Sequence, residues 1–415
     1  MIKSFRKKQQ PDNKMREFQI IHQALQKHCL ELHAKRLNTL IMASEALFHC
    51  DTLTLTQLGR SIGSHARAKH NIKRIDRLLG NAHLQNERIA VYQWQASLLC
   101  TSTLPVLLVD WADIREKERI MVLRASMALS GRSVTIYEKA FSLEEHNTDK
   151  AHRCFLQELA RVLPPECVPL MVTDAGFKNP WFRAVEKQGW YWLSRVRGQV
   201  TYSTVDYDNW SSISRLNEIA TSRSRYLGRC RLARSKPITC ELYLYKGKSK
   251  GRKNQRSTTT NSHHPNSASY SRSAKEAWVL ATNLPEKKFK PIQLVNLYQK
   301  RMQIEETFRD LKSPAYGLGL RHSRTRCPKR FNVMLLIALV LQLVLWWVGF
   351  FAQSKGWQKH FQANTVRNKN VLSTIRLGKE VLRHKSYKLR KRDILKGALL
   401  FIREIRKNGD VLAYL

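Results

Sequence analysis

Between Val333 and Ala352 the chain runs VMLLIALVLQLVLWWVGFFA, twenty residues in which Gln342 is the one clearly polar side chain. A helix that long and that apolar must be covered on every side, by lipid or by the rest of the protein. Its flanks are both basic, with Arg324, Arg326, Lys329 and Arg330 before it and Lys355 and Lys359 after it. A spanning helix is oriented by unequal charge at its two ends, and this run offers none. We read it as the central helix of a large core, with a membrane span as the rival and no membrane partner expected.

The rest of the composition points to a polyanion. Lys and Arg number 73 against 32 Asp and Glu, a formal net charge of +41. Such a charge strains a compact fold unless something neutralises it, and nucleic acid does so with a steep dependence on salt. Hydrophobic residues make up 43% of the chain and ten are Trp, which sets it apart from a disordered polybasic tail or a packing protein. A chain of 415 residues has room for two or three domains. The eight cysteines are scattered, form no CxxC and make no zinc cluster with the 14 His. His263 and His264 stand together in a polar stretch with no Cys or acid at ligand spacing. We expect reduced thiols in a cytoplasmic protein. The opening residues, MIKSFRKKQQPDNK, are basic and polar with no secretory core, and Met15 is an alternative start.

The hydrophobic period divides the chain. Residues 1–14 read as a basic extension and 15–100 as a helical DNA-binding domain. Within it a turn-like stretch, Gly59 to Ser64, precedes a helix carrying Arg67, Lys69, His70, Lys73, Arg74 and Arg77. Ile72, Ile75, Leu78 and Leu79 form its apolar stripe, so the cations face outward, as a helix docked on a duplex requires. Residues 101–198 change to strand patterning. LPVLLVDWADI, IMVLRASMAL and SVTIYEKAF read as three strands. A helix near Asp149 to Val162, the strand VPLMVTDAGF, a helix near Pro180 to Gln188 and the strand WYWLSRVRG follow. That order specifies an α/β fold with a mixed sheet flanked by helices. Residues 199–285 break into short strands around a Lys/Arg/Ser/Thr-rich loop, 246–275. Residues 286–352 return to helices, and 353–415 form a basic helical region.

Three carboxylates stand out by placement. Asp110 and Asp174 close the two buried strand runs, at the edge where open α/β sheets bind their ligands. Glu305 lies in YQKRMQIEETFRDLK, where Tyr298, Arg301, Glu305 and Lys312 fall on roughly one stripe of a single continuous helix. Such a stripe reads in two ways, as a solvated face of i,i+4 ion pairs or as a metal-binding carboxylate among phosphate-binding cations. Asp113 lies three residues along an extended segment from Asp110 and faces the other side; Glu306 lies about 100° round the helix from Glu305. Converging carboxylates with no His or Cys suit hard octahedral cations, two Mg²⁺ with Mn²⁺ as substitute. Two such ions clamp the attacking and leaving oxygens of a phosphodiester.

LVDWADIRE around Asp110, VTDAGFK around Asp174 and the Tyr-x2-Arg-x3-Glu-x6-Lys spacing resemble the DDE cut-and-paste transposases of bacterial insertion sequences, the group with a Tyr-Arg-Glu-Lys signature. The resemblance runs through nearly the whole chain from Met15. It implies an RNase H-like catalytic core, with Asp110, Asp174 and Glu305 as catalytic residues and metal ligands. It implies that Tyr298, Arg301 and Lys312 grip phosphates near the transposon end, with Arg309 beside them. It also accounts for the separation of Asp174 and Glu305, 131 residues apart and too far for a loop, as a β-rich insertion. The implied partners are double-stranded DNA, at the terminal inverted repeats and at the target, and a second copy of the chain in a synaptic dimer. The implied setting is bacterial, at the nucleoid. Relatives form a DNA hairpin by flipping a base, which needs a wedge or stacking ring. Some carry Trp directly after the signature Arg; this chain has Met302, and Trp190 and Trp192 are candidate stacking rings, with strand-core packing expected of at least one of them. The rivals are an RNase H-like nuclease without strand transfer and a non-enzymatic basic DNA-binding protein.

Overall fold

The structure, a computed structural model, describes residues 15–114, 119–247, 276–286, 289–313, 317–366 and 368–409. The basic extension and nearly all of the basic loop, with His263 and His264, lie outside the described residues. Five helices come first: α1 (Arg16–His28), α2 (Ala34–Cys50), α3 (Leu55–Arg60), α4 (Ala68–Leu79) and α5 (Ala82–Leu99). Then come β1 (Val106–Asp113), β2 (Ile120–Leu129), β3 (Arg132–Ser142), α6 (Asp149–Val162), β4 (Leu170–Thr173), α7 (Asn179–Lys187) and β5 (Tyr191–Val196). The strands β6 (Thr201–Thr204), β7 (Ser211–Ser212), β8 (Arg225–Leu232), β9 (Ile238–Tyr245) and β10 (Trp278–Thr282) follow. The chain ends in α8 (Pro291–Gln299), α9 (Met302–Lys312), α10 (Pro328–Ser354), α11 (Thr374–Arg383) and α12 (Lys391–Gly409). It divides into two compact units, one mostly helical and one built on the sheet.

The sheet unit comprises Cys100–Ala112, Val122–Thr307 and Arg406–Leu415. Its sheet has ten strands among the described residues, in the order β3-β2-β1-β4-β5-β10-β9-β8-β6-β7. β1, β4 and β5 run parallel, as strands joined by α6 and α7 must. This is the α/β arrangement of a mixed sheet flanked by helices, and it is consistent with an RNase H-like core. β2 is buried at every position, which is why its sequence is apolar without alternation. α6 begins where Thr148 Oγ1 accepts from Ala151 N at 3.2 Å, and it buries Phe155, Leu156, Leu159 and Val162. The strands after residue 199 do not form a sheet of their own. β10 pairs antiparallel with β5, Thr282 opposite Leu193, and β9, β8, β6 and β7 continue outward from it.

The helical unit comprises Met1–Leu99, Asp113–Met121 and Phe308–Ile405. α10 is its axis. It packs on α1, α2, α4, α5 and α11, and its most apolar stretch is 94% buried, so protein covers the surface that a lipid would otherwise have to. Gln342, its one mid-helix polar group, is 7% exposed. The turn ahead of the basic helix falls slightly later than its sequence pattern predicts. Gly59 lies inside α3, where a Cβ would come within 2.6 Å of Ile72 on α4. Glycine there allows the two helices to touch. Asn71, 3% exposed, braces the turn by donating to Ala66 O and meeting Ser64 Oγ at 3.1 Å. In the basic tail, KSYKLRKRD is split: Lys385 to Arg390 join α11 to α12, and Lys391, Arg392 and Asp393 open α12.

Candidate active site

The parallel pairing of β1 with β4 sets Leu108 opposite Val172. Asp110 and Asp174 each lie two residues beyond that pair, near enough that the charge of Asp174 acts on Asp110. Asp174 follows the last residue of β4, as its pattern predicts, but Asp110 is mid-strand, because β1 runs on to Asp113. The loop after Asp174 turns tightly: Gly176 N donates to Asp174 Oδ1 at 2.8 Å, and a Cβ on Gly176 would lie 2.9 Å from that oxygen. Ser194 Oγ donates to Asp174 O at 3.0 Å and ties this end of β4 to β5.

The third carboxylate is delivered by α9, whose first turns are pinned to the β2–β3 hairpin. Leu129 N donates to Gln303 Oε1 and Ser133 N to Thr307 Oγ1, each at 2.8 Å. Ile304, between them, is fully buried. The single continuous helix that the spacing implies is not what forms. α8 stops at Gln299 and α9 starts at Met302. Between them Lys300, Arg301, Gln303 and Ile304 each donate three residues back, to Leu297, Tyr298, Lys300 and Arg301. This tighter winding rotates Tyr298 relative to Glu305 from where a straight α-helix would set it.

Arg301 sits at that junction, 8% exposed, and is the hub of the cluster. Its Nη1 lies 3.2 Å from Asp110 Oδ2 and its Nη2 2.6 Å from Glu305 Oε1. Its guanidinium stands 6.0 Å from the centre of the Tyr298 ring, and that ring meets Trp278 edge-on at 5.1 Å. Burial pushes the Asp110 carboxyl up to about 7; Arg301 opposes this, while Asp174 and Glu305 add to it. One shared guanidinium does not offset desolvation together with two neighbouring carboxylates. Arg301 loses hydration through burial, yet Tyr298, Asp110, Glu305 and Asp174 together hold its proton more firmly than usual. Among the described residues its buried Nε has no hydrogen-bond partner, and neither has the Nε of Arg195 on β5. Burial lowers the Arg195 pKa, and Tyr298 acts against that.

The rival acids point elsewhere. Glu306 lies 3.5 Å from Arg132, and Asp113 pairs with Arg119 at 2.6 Å. Arg309 and Lys312 continue along α9 in the helical unit, with Lys312 Nζ 5.6 Å from the Phe308 ring centre. Met302 is 54% exposed beside Arg301. Strand-core packing, expected of at least one of Trp190 and Trp192, takes both, which corrects Trp190 as a stacking ring. Trp190 is 7% exposed, and Trp192 is fully buried and stacked on Phe182 at 4.2 Å, so neither offers a ring face to a base.

In the helical unit Arg67, Lys69, Lys73 and Arg77 are exposed and Arg74 is half-buried. His70, Lys73, Arg74 and Arg77 line a cavity of about 560 Å³ together with His33, Lys35 and Arg36 from the start of α2. The α2 residues escaped sequence reading because their neighbours on this cavity are more than thirty positions away along the chain. Arg195 and Arg197 left a faint trace, as two cations on alternate positions of a strand that otherwise reads as core.

Among the described residues no group of three or more His, Cys, Asp or Glu is gathered tightly enough to ligate an ion, and Glu305 is paired with Arg301. The donor chemistry nevertheless suits a hard divalent cation: three carboxylates, with burial raising the proton affinity of Asp110 and the charges of Asp174 and Glu305 adding to it. A family model described as a transposase DDE domain matches residues 101–343 of the chain. No curated protein matches it.

Proposed function

This chain belongs to the family of transposases built on a DDE domain, and from that premise we propose that it moves its own element by cutting and pasting. The family acts on DNA and uses divalent metal for phosphodiester chemistry. We read the protein as binding terminal inverted repeats, nicking each end, forming and reopening a hairpin, and joining the 3′-ends to target DNA. The chain's likeness to the Tyr-Arg-Glu-Lys group supports this, as do runs such as KHNIKRIDRLLGN and GWYWLSRVRG, which resemble the transposase of the tetracycline-resistance transposon.

One observation carries the reading. Arg301 pairs with both Asp110 and Glu305 and feels the charge of Asp174, while its buried Nε has no hydrogen-bond partner among the described residues. A surplus of negative charge next to an unsatisfied donor fits a site for divalent cations and a phosphate. Asp110, Asp174 and Glu305 would hold two Mg²⁺, which when bound stabilise charge on phosphoryl oxygens and sharpen a water or 3′-hydroxyl as nucleophile. Arg301 turns its donors to the phosphate beside the scissile bond, and Tyr298, gripped between Arg301 and Trp278, orients it. Arg309 and Lys312 follow along the same helix as phosphate contacts. Met302, exposed next to Arg301, is the wedge for a flipped base. The basic face of α4, with Arg67, Lys69, Lys73, Arg74 and Arg77, docks on the duplex. Two ends must be cut together, so the working form is a homodimer.

The test is to mix the protein with labelled terminal-repeat DNA and Mg²⁺. Nicks, hairpins and joined products are expected from wild type, and none from Asp110→Asn, Asp174→Asn or Glu305→Gln. Binding without any product, or normal cutting by the three variants, rejects the reading. Cutting with no joining favours a nuclease without strand transfer.

A further inference from the structure

An open trough begins at Asp174 and leaves the acids along the sheet unit. Its inner part, about 820 Å³, is lined by Lys178, Arg197 and Arg234, and its outer part, about 540 Å³, by Arg183, Lys187 and Lys236. Lys178, Val200, Ala233 and Ser235 line both parts, so the two are one groove. Besides Asp174 itself, Asp149 is the one acid on its walls. The walls come from segments far apart in sequence: the start of α6, the loop after β4, α7 and the β5–β6 loop, together with the β8–β9 turn of the insertion. Asn179 Nδ2 donates to Leu232 O at 3.3 Å and Lys236 O at 3.1 Å, and Arg183 Nη2 donates to Lys236 O at 3.1 Å and Pro237 O at 2.9 Å. The groove is therefore preformed.

We propose that this groove carries the backbone of target DNA to the active site. The inference rests on the strand-transfer reading above. Joining an element's 3′-end to a new location requires the three acids to serve two DNA molecules at once. The attacking 3′-oxygen bonds to the target phosphorus, the target's own P–O3′ bond breaks, and that departing oxygen takes up a proton. The transposon end has its grip in the segment from Tyr298 to Lys312, and no residue of that segment lines the groove. The lining also lacks every aromatic side chain. A track for single strands normally offers rings on which bases stack, and a reader of sequence reaches base edges; a row of cations and small residues holds phosphates without regard to sequence. Indifference to sequence is what a target requires and what a terminal repeat does not.

The side chains of Lys178, Arg234 and Lys236 are exposed, so changing them spares the core. The experiment uses the full-length Lys178→Glu/Arg234→Glu/Lys236→Glu variant and its Gln counterpart, with melting temperature as the control for folding. One arm measures nicking of labelled terminal-repeat duplex; the other measures joining of precut ends to a supercoiled plasmid lacking the repeat. Nicking is expected to stay within about twofold, while joining falls by about tenfold or more and its salt slope shrinks by about three, with Gln between wild type and Glu. Equal loss in both arms assigns the groove to the element's own end, and unchanged joining removes it from the reaction; either overturns the inference. Wild-type protein that nicks but never joins overturns the strand-transfer reading and this inference with it. Wild-type protein that does not nick rejects only the cut-and-paste reading, because the precut arm still reports on the groove.

Discussion

Two buried arginines in the sheet unit face opposite situations. On the β2–β3 pair, Arg124 donates from Nε at 2.9 Å and from Nη2 at 2.5 Å to Glu138 Oε2, with side chains 1% and 2% exposed. At the junction of α8 and α9, Arg301 is shared among Asp110, Glu305 and, at longer range, Asp174. The first is charge matched inside a wall. The second is outnumbered: two acids pair with it directly and a third adds its charge. A buried arginine by itself therefore says little about function; the balance of the charges around it separates scaffold from site.

The comparison is broken most sharply at the acids. Asp110→Asn, Asp174→Asn and Glu305→Gln should each lower end cleavage by on the order of 10³-fold or more while DNA binding in a gel-shift assay persists. Glu306→Gln, which removes the partner 3.5 Å from Arg132, should cut near the wild-type rate. At the matched pair the effect moves from chemistry to folding. Glu138→Ala strands a buried guanidinium and should cost about 3–5 kcal/mol in urea unfolding, whereas replacing both partners with apolar residues should cost much less.

Arg301→Ala removes the shared cation. The metal-free protein should lose about 1–3 kcal/mol, and Mg²⁺ should return most of it in a thermal melt, because added cations relieve the same repulsion. If Mg²⁺ stabilises wild type and variant alike, the shared-cation account is wrong. A gentler effect concerns pH. The Asp110 carboxyl is shifted from 3.8 up to about 7 in the fold, so the folded state holds its proton over that window and the unfolded state does not. Its contribution is full below 3.8 and is lost as pH rises toward 7, and a denaturant series on metal-free protein should show stability falling across it. Asp110→Asn should flatten that part of the curve. The smallest effect is expected at Met302. It is 54% exposed, so Met302→Ala should leave stability within about 0.5 kcal/mol while reducing hairpin product in a denaturing gel.

Much of this was legible in the chain. Alternation and apolar runs marked the strands and helices of the core, α6 to the residue, because each element's local pattern agrees with its burial. Asp174 follows its apolar strand in the fold as it does in the sequence, whereas Asp110 lies mid-strand and Glu305 sits within a helix, where no apolar run marks it. Other features were out of reach of local pattern. Trp190 looks like a ring available for stacking until the fold buries it. The basic groove joins Lys178 to Lys236 across 58 positions, and no periodicity links them.

The sequence by itself determined which elements form, in what order, and which side chains carry charge, because those follow from propensity and from the period of burial along one segment. It also determined that the run from Val333 to Ala352 had to be covered. Only the tertiary structure decided what covers that run, that the strands after residue 199 extend the core sheet, and that a tight turn at Lys300 and Arg301 breaks the stripe. Only it made one arginine answer to acids from separate elements. The reason is physical: register between strands, the winding at a helix junction and the electrostatics of a buried cluster depend on distances between residues remote in the chain, and those exist only once the chain has packed.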